Sequence, residues 1–266
     1  MNTLGEQLAH EYSTISTVEA VALGGSRTGP FWEPTSDYDI YIYSRPPIPI
    51  ELREKVAHKY SDAPETNNQF WESGDEWIDS AGDRFDIMFR DCGWIEEQLA
   101  RVLDRHEASI GYTTAFCFNV KNSTSLFDRN QWFAAQQQKA SATFPEPLRR
   151  NIVAKNHPIL RSMQSSYLHQ IEKAIQRKDA VSANHRIAAL LASYFDILFA
   201  LNRQLHPGEK RLLQWTTELC PLRPPGMENL IPELIASAAK LEPYSLGLIG
   251  QLLDGLDVQL RAERLI

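Results

Sequence analysis

Two aspartates two residues apart, Asp37 and Asp39, have the type and spacing to do chemistry. They belong to the run DYDIYIY, in which apolar and other residues alternate with a period of two, so both carboxylates face the same side of a predicted strand. Such a pair can hold hard cations such as Mg²⁺, which bind a few carboxylates together with substrate phosphates. Two metal ions about 3.5–4 Å apart can clamp an in-line phosphoryl displacement.

A glycine-serine turn precedes this pair at Gly24-Gly25-Ser26-Arg27. Glycine allows a ligand to approach the backbone closely. A turn that leads into a helix directs backbone N–H groups at an anion. Ser26 adds a hydroxyl donor and Arg27 adds positive charge, so the segment predicts a phosphate site that uses Gly25, Ser26 and Arg27.

A third carboxylate, Asp86, stands in the run RFDIMF. The run predicts a strand with Phe85, Ile87 and Phe89 on one face and Asp86 on the other. Asp86 is therefore the candidate that completes a metal site with Asp37 and Asp39. The alternative is a solvated acidic edge, because other acidic residues crowd this part of the chain, and Arg90 could simply pair with Asp91.

Alternating strands and helices must position these residues. The apolar patterns of the first 130 residues predict helices over residues 2–13, 51–60 and 93–106, and a short helix after the glycine turn. They also predict strands over residues 17–23, 37–43, 84–89 and 123–127.

The pattern after Trp132 is almost wholly helical. It predicts a long helix opened by Pro145 and Pro147 and running to Arg177, followed by helices over residues 183–204, 209–219, 228–241 and 245–264. The chain therefore predicts two domains, at residues 1–130 and 131–266.

The composition of the chain limits the classes of ligand and the cellular location that can be expected. The chain has 266 residues, with 27 Lys and Arg against 34 Asp and Glu, a net charge of −7. An acidic chain lacks the basic footprint of a dedicated nucleic-acid binder, which argues against long nucleic acid. No apolar run reaches the length of a membrane span, and the N-terminus does not resemble a signal peptide. Three scattered cysteines fit a reducing compartment, so a cytoplasmic protein is expected.

The glycine-serine turn and the aspartate pair together resemble the signature of the DNA polymerase beta nucleotidyltransferase superfamily. The matching residues are GGSR and, after a short spacer, SDYDIYIY, with a third carboxylate in DRFDIMFRD. The resemblance implies an α+β fold, with an N-terminal mixed sheet with helices and an all-helical C-terminal domain. It also implies that Ser26 holds a nucleoside triphosphate such as ATP, that Asp37 and Asp39 bind Mg²⁺, and that Asp86 is a metal ligand or the base.

Within that superfamily the chain is similar to a clade near the aminoglycoside and lincosamide nucleotidyltransferases. DRFDIMFRD and ALNRQLHPGEKRLL carry this similarity. It implies transfer of a nucleoside monophosphate to a hydroxyl of a small molecule. It also makes Lys210, at a predicted helix start, a candidate for the triphosphate. An acidic wall of Glu33, Asp75, Glu76 and Asp79 would favour a cationic acceptor such as an aminoglycoside.

Two other functions stay open at this stage. The acceptor could be a protein side chain, as in antitoxin-like nucleotidyltransferases, although those are usually much shorter. The chain could also be a non-catalytic nucleotide-binding module, against which the intact set of Ser26, Asp37, Asp39 and Asp86 argues. The sequence sets neither the nucleotide nor the oligomeric state.

Overall fold

The computed structural model describes residues 4–266. The predicted first helix is observed from Leu4, and residues 2 and 3 of that prediction lie outside the described residues. The helices and strands of the first part of the chain are α1 (Leu4–Ser13), β1 (Val18–Leu23), β2 (Tyr38–Ser44), α2 (Ile50–Ala57), β3 (Glu65–Asn68), β4 (Gly74–Ile78), β5 (Arg84–Asp91), α3 (Cys92–Leu103), α4 (Ala115–Asn122), β6 (Thr124–Asp128) and α5 (Trp132–Ala140).

Within residues 4–266, six strands form one mixed sheet in the order β3-β4-β5-β2-β1-β6. β2 and β5 run parallel, and the other neighbouring strands run antiparallel. A mixed sheet with helices, followed by helices alone, confirms the predicted α+β fold class.

The two faces of the sheet differ because side chains alternate along each strand. One face, here called the core face, carries Ile40, Ile42 and Ile87, which pack with Leu8 of α1 and Val56 of α2. The opposite face, here called the acidic face, carries Asp39 of β2, Asp86 of β5 and Glu76 of β4. Burial of the apolar face thus fixes the side on which the carboxylates project.

Three elements were not predicted, β3, β4 and α4, and α5 lies in the stretch after Trp132 that was expected to be helical without stated bounds. β3 has the sequence ETNN, without one apolar residue, and β4 has only Trp77 and Ile78 at its end. Local patterning therefore gave no strand signal. β4 forms because it pairs with β5 in antiparallel register, a contact that sequence periodicity does not report.

The rest of the chain is helical. Its elements are α6 (Glu146–Arg161), α7 (Tyr167–Gln176), α8 (Ala180–Leu201), α9 (Leu212–Leu219), α10 (Met227–Ala239) and α11 (Tyr244–Ala262). The predicted single helix to Arg177 was wrong, since it breaks over residues 162–166. That segment contains three serines, whose hydroxyls compete for backbone hydrogen bonds. No helix within residues 4–266 has the length and apolarity needed to cross a membrane.

Packing divides the chain into two compact units. The first unit is Met1–Ala100 with Phe116–Ala142, and the second is Arg101–Ala115 with Thr143–Ile266. The predicted division into residues 1–130 and 131–266 stays a prediction, because compactness alone does not define an independently folding domain.

Buried hydrogen bonds hold the segment Arg101–Ala115 in the second unit. Asp196 of α8 accepts from the Thr113 N–H at 3.0 Å and from its hydroxyl at 2.6 Å, and Asn156 of α6 accepts from the Gly111 N–H at 3.0 Å. Burial raises the pKa of Asp196 to about 7, although the hydrogen bonds from Thr113 act in the opposite direction.

Candidate functional site

Two of the predicted carboxylates lie side by side on the acidic face. Asp39 of β2 and Asp86 of β5 are direct partners in the parallel register. Asp86 is also the antiparallel partner of Glu76 on β4. Because neighbouring strands are about 4.8 Å apart, these three side chains form a row across the sheet. We call Asp39, Asp86 and Glu76 the acidic row.

The glycine turn packs on one end of this row. Gly25 has a φ of +64°, in the region that favours glycine, and a Cβ at this position would overlap the Asp39 carboxylate. The Gly24 N–H donates to the Asp39 carbonyl oxygen at 2.8 Å. An added side chain would collide with Asp39, which explains the glycine. Ser26, the next residue of the turn, is half-buried.

The helix expected after the turn is a single 3₁₀ turn, Gly25–Thr28. A four-residue turn develops too little aligned dipole to act as a helix N-terminus. The predicted short helix is thus present as a 3₁₀ turn, and its role toward the phosphates stays a prediction. The Ser26 hydroxyl and the backbone of the turn are what this segment can offer to an anion.

The acidic row changes the ionisation of its central member. The pKa of Asp86 is raised to about 6, first by burial and then by the charges of Asp39, Glu76, Asp37 and Glu72. Carboxylates that face one another resist simultaneous ionisation. A cation bound to the row would relieve that repulsion.

Asp37 and Arg27 lie at the start of β2. Asp37 is exposed, and its Oδ1 lies 3.9 Å from Arg84 Nε. Arg27 Nε donates to the carbonyl oxygens of Ser36 at 2.8 Å and of Asp37 at 3.1 Å, and its guanidinium lies 3.6 Å from the centre of the Tyr38 ring. Arg27 thus fastens the loop to the strand. The nucleotide role of Arg27 and the metal role of Asp37 stay predictions.

The donor chemistry of the acidic face fits Mg²⁺. Asp39 and Asp86 offer neighbouring carboxylate oxygens, and the repulsion around Asp86 favours a cation. Within residues 4–266, no three His, Cys, Asp or Glu side chains are already arranged as a metal cage. Mg²⁺ commonly binds through one or two carboxylates and completes its shell with phosphate and water. Asp39 and Asp86 would hold it, and Asp37 is the third candidate.

A groove extends from Asp86 across β4 and β3. It is lined by Asn68, Trp71, Glu72, Gly74, Glu76, Asp86 and Met88. The Asn68 amide donates to Glu76 at 2.8 Å and so holds that carboxylate on the groove wall. Of these residues, only Asp86 and Glu76 were predicted from the sequence as site or wall residues. The pair Phe70-Trp71, two aromatic residues in an otherwise polar run, is the sequence signal that could have indicated the groove.

The predicted acidic wall needs correction. Asp75 is fully buried on the core face, where it pairs with Arg53 and accepts from the Asn67 N–H at 2.8 Å. Asp79 accepts from the N–H groups of Ala81 and Asp83 in the β4–β5 turn. Because side chains alternate along β4, Glu76 faces the groove and Asp75 faces the opposite side of the sheet.

Arg90 pairs with a residue far away in sequence. Its guanidinium donates to both carboxylate oxygens of Glu72, at 2.7 and 2.8 Å, and to the Asn119 side chain at 2.7 Å. Asp91, the alternative partner considered from the sequence, accepts instead from the Trp94 N–H at the start of α3. Arg90 is 5 % exposed, so its guanidinium is largely shielded from water, whereas the Glu72 side chain is 32 % exposed.

Lys210 belongs to the second unit. It is exposed in the connection between α8 and α9. The predicted helix start near Lys210 was wrong, because α9 begins at Leu212 and Arg211 before it has a φ of 56°. Its role toward the triphosphate stays a prediction.

Comparison with known families gives one partial match. A family model described as Domain of unknown function (DUF4037) matches residues 112–212. This span includes Lys210 but none of the predicted site residues Ser26, Asp37, Asp39 and Asp86. No curated protein sequence matches the chain.

Two solved structures are distantly similar. A nucleotidyltransferase-like protein from Exiguobacterium sibiricum 255-15 is 14 % identical with a TM-score of 0.46, and the match covers 97 % of this chain and 75 % of that protein. The Thermotoga maritima CCA-adding enzyme, complexed with tRNA, is 11 % identical with a TM-score of 0.29, covering 97 % and 80 %. Similarity at this level assigns no activity, so function has to be argued from the site.

Proposed function

We propose that this protein is a Mg²⁺-dependent nucleotidyltransferase that moves a nucleoside monophosphate, AMP from ATP in the simplest case, to a hydroxyl of a small molecule. One observation carries the proposal: Gly25, at positive φ, is packed on Asp39, and Asp39 is the register partner of Asp86. The candidate phosphate-binding turn therefore lies next to two carboxylates on neighbouring strands of the sheet. This combination suits a displacement at phosphorus.

Each residue has a distinct proposed task. The Ser26 hydroxyl and the backbone of its turn bind the outgoing phosphates. Asp39 and Asp86, with Asp37 as the third candidate, hold Mg²⁺, which when bound neutralises phosphate charge and favours attack at the α-phosphate. Asp86 is either a ligand only or also the acceptor of the hydroxyl proton, a role for which it must come within hydrogen-bond reach of the attacking oxygen.

The acceptor class follows from charge. Glu72, Glu76 and Asp86 all line the groove. Arg90 offsets the charge of Glu72, and bound Mg²⁺ would offset that of Asp86. Glu76 is therefore the lining carboxylate left to attract a cationic group of the acceptor. A hydroxyl acceptor that also carries amino groups, as aminoglycoside-like compounds do, would complement this surface. The net charge of −7 argues against long nucleic acid as the acceptor.

The test is pyrophosphate release from each of four nucleoside triphosphates with Mg²⁺, in the presence of aminoglycosides, lincosamides and neutral polyols. Acceptor-dependent release is expected, and it should be lost in Asp37→Ala/Asp39→Ala. The matched control is Asp62→Asn, an exposed aspartate outside the site, which should retain full release. Mg²⁺-dependent nucleotide binding without release for any acceptor would contradict the proposal and favour a non-catalytic module.

A further inference from the structure

The groove includes two members of the acidic row, Asp86 and Glu76, and extends from Asp86 away from Asp39. Along the sheet, the phosphate turn follows β1, Asp39 is on β2, Asp86 is on β5, and the remaining groove residues belong to β5, β4, β3 and the β3–β4 connection. An in-line displacement brings the attacking oxygen in opposite the leaving group. If the turn holds the leaving phosphates, the groove beyond Asp86 is where the acceptor binds.

The β3–β4 connection presents two adjacent aromatic side chains at this groove. Phe70 is 84 % exposed and Trp71 is 94 % exposed. Trp71 lines the groove together with Asp86, whereas Phe70 is not among the lining residues. An exposed indole has a large apolar surface in contact with water. A ligand that covers its face removes this surface from water, which contributes favourable free energy to binding.

The connection is held in place from both faces of the sheet. On the acidic face, the shielded Arg90 guanidinium binds Glu72, the residue after Trp71, through two hydrogen bonds. On the core face, Arg53 donates to the Ser73 hydroxyl at 3.1 Å. These bonds fix the two residues that follow Trp71, and a fixed backbone reduces the entropy lost when its side chain binds a ligand.

We propose that Trp71 is a specificity-determining residue for the hydroxyl acceptor, and that Arg90 and Glu72 are positioning residues that hold it at the groove. The inference rests on the proposed function, because that function assigns the groove to the acceptor. The indole face packs against the ring of the acceptor and attracts its ammonium groups, which the groove carboxylates also bind.

The experiment measures Kd by calorimetry for two probes, 2-deoxystreptamine, a cyclic diamine with hydroxyl groups, and myo-inositol, an uncharged cyclic polyol. MgATP is titrated separately. Trp71→Ala should weaken 2-deoxystreptamine about tenfold, and Trp71→Phe should restore part of that loss. Phe70→Ala is the matched control, since it removes the neighbouring exposed ring, and it should stay within twofold of wild type. MgATP should bind all three variants equally.

A second variant tests the positioning role. Glu72→Gln keeps the shape of the side chain but removes its charge, and Glu72 is accessible enough to be changed without opening the core. Because Glu72 also lines the groove, its positioning role is tested by a double-mutant cycle with 2-deoxystreptamine. Glu72→Gln should weaken binding less in the Trp71→Ala background than in wild type, because there is then no indole to position. Equal losses in the two backgrounds, or a loss that appears only together with lower thermal stability, contradict the positioning role.

The remaining outcomes separate the two proposals. Equal effects of Trp71→Ala and Phe70→Ala, equal binding of the two probes, or weaker MgATP binding in Trp71→Ala would each overturn the role of Trp71. Wild-type protein that binds MgATP but not 2-deoxystreptamine also overturns it, while the proposed transfer stands. Wild-type protein that does not bind MgATP defeats the proposed function and the inference with it.

Discussion

Asp75 and Glu76 are consecutive on β4, and they lie in opposite environments. Asp75 is fully buried on the core face and bound by Arg53, whose guanidinium also donates to the Gly74 carbonyl oxygen at 2.9 Å. Glu76 faces the groove, next to Asp86. The first carboxylate has a cation supplied by the chain itself. The second belongs to a row of carboxylates in which the cation must come from a ligand.

The difference separates structural acids from candidate site acids. A buried charge is tolerated when a partner of opposite charge and hydrogen bonds satisfy it, and such a group contributes to a unique fold. A row of like charges instead lowers the stability of the fold through mutual repulsion, and it is typical of sites where a bound cation offsets that repulsion. The partner, rather than the residue type, therefore decides which acids are candidates for chemistry.

The largest effect on stability is expected from breaking the core-face pair. Asp75→Asn leaves the Arg53 guanidinium buried without its counter-ion and should lower the free energy of unfolding by about 3–5 kcal/mol. Urea unfolding followed by circular dichroism measures this, with exposed Asp62→Asn as the control. Arg53→Met/Asp75→Asn should lose less than the sum of the two single variants. A loss under 1 kcal/mol for Asp75→Asn would remove the distinction between the two faces.

Asp196 provides a third case, because it is buried and the groups that donate to its carboxylate, Thr113 and Asn156, are neutral. Its pKa is raised from 3.8 to about 7 in the folded protein, so the unfolded chain releases its proton first as the pH rises. The contribution of Asp196 to the free energy of unfolding should therefore fall between pH 4 and pH 7, by on the order of 3–4 kcal/mol, and level off above. Buried His206, whose pKa is lowered to about 3, acts in the opposite direction over this range, so the quantity to measure by urea unfolding is the difference between wild type and Asp196→Asn, which should fall by this amount as the pH rises. A profile identical to wild type would contradict the raised pKa.

The glycine turn offers a matched pair of substitutions. Gly25 and Gly82 both have positive φ, but an added Cβ meets the Asp39 carboxylate at Gly25 and nothing at Gly82. Each change to alanine should cost about 1 kcal/mol of backbone strain. Gly25→Ala should also displace Asp39 and reduce acceptor-dependent pyrophosphate release about 100-fold. Equal release by the two variants would show that the close approach has no catalytic role.

The smallest effect on stability is expected at the acidic row. Glu76→Gln removes one like charge beside Asp86, so the pKa of Asp86 should move down from about 6 toward its ordinary value. The free energy of unfolding should change by under about 0.5 kcal/mol. Carboxyl-carbon NMR titration would follow Asp86 in the variant, in wild type and in Asp62→Asn. An Asp86 pKa that is unchanged or higher would mean that Glu76 does not act on it.

Side-chain parity made part of the site predictable. Strict alternation along β2 and β5 placed Asp39 and Asp86 opposite the apolar residues, and the register then made them partners. The glycine turn was recognisable because a positive φ and a close approach to the Asp39 side chain both favour glycine at position 25. These features are local or depend on strict alternation, so a sequence can display them.

What the sequence did not display depends on contacts between distant segments. β3 and β4 are strands because β5 offers a partner, and Arg90 finds Glu72 eighteen positions away rather than the adjacent Asp91. Asp75 was expected on the acidic wall because the register of β4 was not available from a segment with so few apolar residues. Trp71 was missed because an exposed aromatic residue has no periodic pattern.

The alternating order of the two units has a consequence for synthesis on the ribosome. The segment Arg101–Ala115 emerges before β6, which pairs with β1, and well before Asn156 and Asp196, which bind the segment. A nascent chain can thus complete its sheet before the residues that bind this segment have been synthesised. If the gene were split at residue 130, Thr113 and Asp196 would be on separate polypeptides, and the segment in the first fragment would lack these hydrogen bonds.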